Sequence, residues 1–192
     1  QFGPVDAARR AFAGSLGEWA RWSAKRRGEW LLQFGDAIDA DHANLAALEC
    51  ADTGKPMSQA EADIRACARY FRFYGHAIDT YYGETIPLAP DQLVYTRKEP
   101  FGVVGSITPW NFPNAMIARK VAPALAVGCS FVARPAELTP LSAIAMAVLA
   151  ERAGVPAGIF NVLPSSDSAG VGQELCANPK VAKITFTGST RV

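Results

Sequence analysis

The sequence predicts an α/β protein whose parallel sheet is doubly wound, preceded by a helical region and a β-hairpin excursion. Three observations carry this prediction. Short apolar runs that read as strands begin near Val103, Ser130, Ile159 and Lys183, at spacings of 27, 29 and 24 residues. A βαβ unit occupies about 30 residues, so three consecutive spacings of this size call for parallel strands with helices on the faces between them. The first eighty residues, by contrast, carry apolar positions at helical spacing.

In chain order, Trp30, Leu31, Phe34 and Ile38 fall on one face of a helix. A second helix carrying Leu45 and Leu48 stops at Thr53-Gly54-Lys55-Pro56, where Gly and Pro end the helical pattern. Ser58 and Glu61 have the spacing of a capping box for a third helix, whose buried face is Ile64, Cys67, Ala68, Phe71 and Tyr74. Pro87 and Pro90 then break the helical pattern, and Leu93 to Lys98 alternates as an exposed strand does. Beyond Phe101, Gly128 closes a helix that begins near Asn114. Thr139-Pro140 should open the next as N-cap and N1, and Gly154 with Pro156 should end it. The organisation expected is 1–82 helical, 83–100 β-excursion and 101–192 nucleotide-binding sheet, incomplete at its far end.

Composition narrows the functions. The 192 residues are 49% hydrophobic and 19% charged, with formal net charge +1, and the longest basic run is Lys25-Arg26-Arg27. Neither nucleic acid nor an acidic membrane surface is expected as a partner. The longest mostly apolar stretch, Val121 to Ala133, is interrupted by Pro123, Gly128 and Ser130. It is too short for the ~20 residues that span a bilayer. The start, Gln1-Phe2-Gly3-Pro4, has no signal-peptide pattern, and its lack of Met suggests trimming. Cys50, Cys67, Cys129 and Cys176 lie far apart without a metal-ligand spacing, so no metal and a reducing, cytoplasmic setting are expected. His42 and His76 belong to no motif and read as structural or surface residues.

In a doubly wound sheet, ligands bind beyond the carboxyl ends of the strands. Four segments therefore matter: Thr108 to Asn111, Arg134 to Glu137, Leu163 to Ala169 and Thr187 to Thr190. Asn111 offers an NH2 donor able to stabilise an oxyanion, or else it satisfies turn backbone while Trp110 fills a core edge. Glu137 can accept from ribose hydroxyls and Arg134 can pair with a 2'-phosphate; alternatively the two form a surface ion pair. Gly188 and Ser189, at what reads as a helix start, suit either a phosphate or an ordinary N-cap. No GxGxxG follows the first strand.

Taken together, Glu99 to Gly105, Ile107 to Pro113, Pro123-Ala124-Leu125-Ala126 with Gly128-Cys129, Arg134 to Glu137 and Phe186 to Thr190 resemble the aldehyde dehydrogenase superfamily. The match runs from about Ala40 to the end. Met116 to Lys120 and Asn161 to Pro164 look most like its succinate-semialdehyde branch.

The resemblance implies a Rossmann-like fold and an NAD(P)-dependent oxidation in which a cysteine thiolate attacks the aldehyde, hydride passes to the nicotinamide and a glutamate activates water. By position, Asn111 is implied as oxyanion donor, and Ile107, Thr108, Pro109 and Trp110 as the lining of the nicotinamide end. Arg134, Pro135, Ala136 and Glu137 would serve the adenosine ribose, Gly188 and Ser189 the pyrophosphate. Arg119 would bind the far carboxylate of succinate semialdehyde, and the hairpin would join subunits into a homo-oligomer, a dimer or tetramer. The cofactor is NAD or NADP, with Glu137 favouring NAD and Arg134, where the family usually has Lys, arguing the other way. The family's nucleophilic Cys and general-base Glu lie beyond the Phe186 to Thr190 motif. The chain thus reads as the first part of a longer enzyme, inactive alone, or as a non-catalytic nucleotide-binding or assembly module.

Overall fold

A computed structural model describes residues 3–12 and 18–190. Helix α1 (Gly3–Phe12) and the single turn α2 (Glu18–Arg21) precede three longer helices, α3 (Ala24–Ala40), α4 (His42–Thr53) and α5 (Met57–Ala77). A 3-10 turn, Ile78–Thr80, leads into an exposed antiparallel pair, β1 (Thr85–Ile86) and β2 (Val94–Tyr95). The remainder alternates as β3 (Val103–Ile107), α6 (Pro113–Ala126), β4 (Ser130–Arg134), α7 (Leu141–Arg152), β5 (Phe160–Val162), α8 (Ser168–Ala177) and β6 (Val181–Phe186).

The four long-range strands form one parallel sheet in the order β5-β4-β3-β6. The chain winds outward from β3 through β4 to β5, then crosses back to place β6 on the other side of β3. This is the doubly wound topology, and its crevice opens where the order reverses, between β3 and β6. The strands begin within two residues of the expected positions. β5 starts at Phe160 rather than Ile159, and β6 at Val181 rather than Lys183.

Alternation along the strands feeds two cores. Val103 and Val132 face α1 and α8 through Val5, Ala8 and Leu175. Val104, Phe131 and Ala133 face the opposite way, toward α6 and α7. On that second side the apolar cluster runs on without interruption into α3, α4 and α5, so the helical region forms an outer layer on α6 and α7. Trp30, Leu31, Phe34 and Ile38 are buried as their spacing predicted. The Trp30 and Phe34 rings stack at 5.1 Å, and Phe71 of α5 meets Phe34 edge-on at 4.6 Å. Among the described residues no helix is long and apolar enough to cross a membrane.

Two predicted caps are displaced. Pro56, not Ser58, is the N-cap of α5; its carbonyl accepts from Gln59 and Ala60, and Ser58 lies inside the first turn. The helix starts earlier because Pro56 already holds the extended backbone that an N-cap requires. Likewise Thr139 and Pro140 are not the N-cap and N1 of α7. Pro140 is the N-cap and the helix begins at Leu141, whose N–H, with that of Ser142, donates to Asp52 Oδ2 at the end of α4. The glycine stops hold: Gly54, Gly128 and Gly154 have φ of 76°, 95° and 82°, the left-handed conformation that ends a helix at least cost for glycine.

Helices α3 and α5 cross at Gly28 and Gly75. A Cβ built on Gly28 would lie 2.6 Å from the Gly75 carbonyl oxygen, a backbone atom that cannot swing aside. Gly28→Ala must therefore separate the two helices, and we expect a loss of about 1–3 kcal/mol, the usual cost of overpacking. Urea denaturation should show a lower midpoint with an unchanged slope; an unchanged midpoint would mean that the crossing has slack.

Candidate functional site

The ends of the strands are stitched together by backbone hydrogen bonds before any side chain contributes. Thr187 N–H donates to the Ile107 carbonyl (3.1 Å), and Thr108 N–H to the Arg134 carbonyl (3.2 Å). The loops that follow β3, β4 and β6 thus emerge side by side. They enclose a groove of about 520 Å³ over the crevice between β3 and β6.

Most of the predicted site residues line it. Ile107, Thr108, Pro109, Trp110 and Asn111 come from the first loop, Arg134, Ala136 and Glu137 from the second, and Gly188 and Ser189 from the third. Pro135 is buried behind the wall. Arg119 is not part of the lining; on the exposed side of α6, its Nη2 donates to the Tyr70 hydroxyl of α5 at 2.9 Å. The next residue, Lys120, is half-buried, with its ammonium 3.0 Å from the Thr185 hydroxyl of β6, and burial, then the Arg119 charge, holds its pKa below the ordinary range.

The walls differ in character. Trp110 is 54% exposed and Phe186 46%, giving apolar faces at the mouth. On the β4 side Arg134, only 5% exposed, donates to Glu137 Oε2 at 2.7 Å and to the Ser168 hydroxyl, and Ser168 donates to the same carboxylate oxygen at 2.7 Å. The Ser168 bond, then Glu137's own backbone and Arg134, hold the Glu137 carboxyl below the usual range, so it is ionised at the rim. Sequence spacing pairs Arg134 with Glu137, three residues apart, but Ser168 sits 31 residues further on, at the start of α8. Only its place at the end of β5, within the segment 163–169, signals it.

Asn111 projects from the first loop, exposed. Two contacts brace that loop: the Thr139 hydroxyl donates to the Trp110 carbonyl at 3.1 Å, and the Lys55 ammonium lies 4.6 Å from the centre of the Phe112 ring. Behind it, Asn114 donates through its amide to Glu49 Oε2 at 2.5 Å, and Glu49 Oε1 and Asp63 Oδ2 both accept from Lys55, at 2.5 and 2.6 Å. Glu49 is wholly buried. Burial pushes its carboxyl up, and Lys55 and Asn114 pull it back. Burial alone would lower Lys55, but its bonds to Asp63 and Glu49 hold it above its ordinary range. Nothing in the sequence reading pointed to this cluster, because Glu49 sits among apolar residues of α4.

The groove suits a dinucleotide. Arg134 Nε is buried without a partner among the described residues, Glu137 offers an acceptor at the rim, and Gly188 packs where a Cβ would come within 2.6 Å of the Phe186 ring. No cysteine lines it. Cys67 and Cys129 are buried, and burial raises both thiols above their ordinary range.

Known proteins are similar to this chain in sequence and in fold. Residues 4–192 match the model of the aldehyde dehydrogenase family. A probable NADP(+) succinate-semialdehyde dehydrogenase of Sinorhizobium fredii is 45% identical over 91% of this chain and 36% of its own length. A glutarate-semialdehyde dehydrogenase of Pseudomonas aeruginosa is 45% identical over 93% of this chain and 37% of its own. The NAD+ complex of an aldehyde dehydrogenase from Bacillus cereus superposes with a TM-score of 0.93 and 40% identity, covering 98% of this chain and 38% of that one. The chain thus spans little more than a third of the length of these relatives.

Replacing Ser168 by Ala removes the first of the contacts that depress Glu137. The Glu137 titration, followed by carboxyl-selective NMR, should shift its midpoint upward, toward the ordinary carboxylate value. An unmoved midpoint would show that Ser168 does not bond Glu137 in solution.

Proposed function

The chain belongs to the aldehyde dehydrogenase family, and from that premise we propose that it builds the NAD(P) site and supplies the oxyanion donor for oxidation of an aldehyde to a carboxylate. The observation that carries this reading is the gathering of Asn111, Trp110, Arg134, Glu137, Gly188 and Ser189 around one groove at the β3/β6 crossover.

When bound, the dinucleotide supplies a hydride acceptor. Glu137 accepts from ribose hydroxyls, and its negative charge disfavours a 2'-phosphate there, which favours NAD over NADP. Gly188 and Ser189 receive the pyrophosphate, while Ile107 to Pro109 and Trp110 border the nicotinamide end. Asn111 donates its amide N–H to the aldehyde oxygen as negative charge grows on it, a contact stronger in the transition state than in the bound substrate. The thiolate that attacks the carbonyl carbon and the carboxylate that activates water come from outside these 192 residues. The four thiols present fit this: none borders the groove. Their unpaired state suits a reducing, cytoplasmic compartment. The β1–β2 hairpin exposes Leu88, Leu93 and Tyr95, which supports a homo-oligomer joined there.

Succinate semialdehyde is the substrate we favour. Both curated relatives above are named for aldehydes that carry a carboxylate at the far end. Arg119 is a planar cation on the helix that follows Asn111, one turn beyond Met116 of the groove wall, and its fork of donors suits a carboxylate.

In the complete enzyme, Asn111→Ala should lower kcat by roughly 10²- to 10³-fold, the usual effect of losing one oxyanion donor, with cofactor KM little changed. An effect confined to cofactor KM would refute the role. Arg119→Ala should cut the preference for succinate semialdehyde over butanal by about tenfold or more in kcat/KM while sparing butanal oxidation. Equal loss on both aldehydes would make Arg119 structural.

A further inference from the structure

Neither α6 nor α7 carries an N-cap side chain of its own. Phe112 and Pro140 occupy those positions and bond nothing through their side chains. The last turn of α4 takes over at both. Glu49 Oε2 receives the Asn114 amide (2.5 Å) and lies 3.4 Å from the Asn114 backbone nitrogen, while Asp52 Oδ2 receives the N–H groups of Leu141 (3.1 Å) and Ser142 (3.3 Å). Lys55, bonded to Glu49, also reaches the Phe112 ring. Asn111 therefore sits one residue before a ring held by Lys55 and three before an amide held by Glu49. The loop bearing Glu137 runs directly into the helix held by Asp52. A side chain exposed on a loop keeps its aim only if the backbone flanking it cannot shift; here Thr139 holds the residue before Asn111, and the backbone after it is held from behind by the buried Glu49 carboxylate.

We propose that Glu49 is a positioning residue for Asn111, acting through Asn114 and Lys55, and that Asp52 does the same for the loop bearing Glu137. The proposal rests on the oxyanion role assigned to Asn111, and its test separates the two. In the complete enzyme, Glu49→Gln keeps size and removes the charge. It should lower kcat about ten- to a hundredfold with cofactor KM little moved, since a misplacement of about 1 Å costs up to 10²-fold. In the Asn111→Ala background the same change should cost no more than about twofold, because the group it aims is gone. Asp52→Ala should instead raise cofactor KM about three- to tenfold. Asn114→Ala, which leaves Glu49, Lys55 and Asp63 paired, should repeat the kcat loss if Glu49→Gln fails to fold.

Full additivity of Glu49→Gln with Asn111→Ala, or equal effects of Glu49 and Asp52 variants on both constants, would overturn the proposal. If Asn111→Ala itself leaves kcat intact, the oxyanion reading falls, and amide hydrogen exchange still decides the clamp. Glu49→Gln should then speed exchange at residues 112–118 and Asp52→Ala at 140–146, each sparing the other segment. Unchanged exchange would refute it.

Discussion

Two helix beginnings that cannot cap themselves set the terms for the rest of this structure. α6 and α7 start at the inner end of the strand loops, where the first N–H groups of a helix lack intrahelical partners; the start of α6 is buried, that of α7 nearer to water. Their far ends pose the complementary demand for donors. The outer helical layer answers both. α4 supplies Glu49 and Asp52 to the amino ends, while α3 supplies Arg27 Nε to the Ala126 carbonyl and Trp30 Nε1 to the Ala153 carbonyl, each at 2.9 Å. The helices of residues 24–77 thus serve as the capping apparatus of the two helices that follow the β3 and β4 loops of the groove.

This arrangement explains a charge in an unlikely place. An isolated carboxylate within an apolar core is costly, and loss of one partner from a buried pair typically destabilises by about 3–5 kcal/mol. Glu49 is tolerable because Lys55 and Asn114 occupy both of its oxygens and Asp63 shares the ammonium. The groove side shows the opposite economy: Glu137 is half in water, so its pairing with Arg134 orients the side chain more than it stabilises the fold.

What could be read in the sequence was what depends on neighbours along the chain. Strand spacing fixed the parallel topology, glycines at positive φ marked the helix ends, and the four strand termini located the groove that Asn111, Glu137 and Gly188 share. The caps were misplaced because their logic is not local. Thr139 has the right chemistry to cap α7, yet its hydroxyl serves the Trp110 carbonyl while Asp52, 89 residues away from Leu141, does the capping. Ser58 fits a capping-box pattern, but Pro56 fixes the start of α5 two residues sooner. Glu49 gave no signal for the same reason, and Ser168 only that of its segment after β5: each gains its meaning from a partner that only the folded chain brings near.

The shared core of the outer helices with α6 also bears on synthesis. Ile64, Cys67, Ala68 and Phe71 of α5 pack in one cluster with Ile117, Val121 and Leu125 of α6. α5 is complete at Ala77, about 50 residues before α6 ends at Ala126. At roughly 5–20 residues per second, translation leaves that apolar flank uncovered for on the order of 2 to 10 s. During that interval the apolar flank of α5 lacks the helix that covers it in the finished fold, so slow or stalled elongation lengthens the exposure of an aggregation-prone surface.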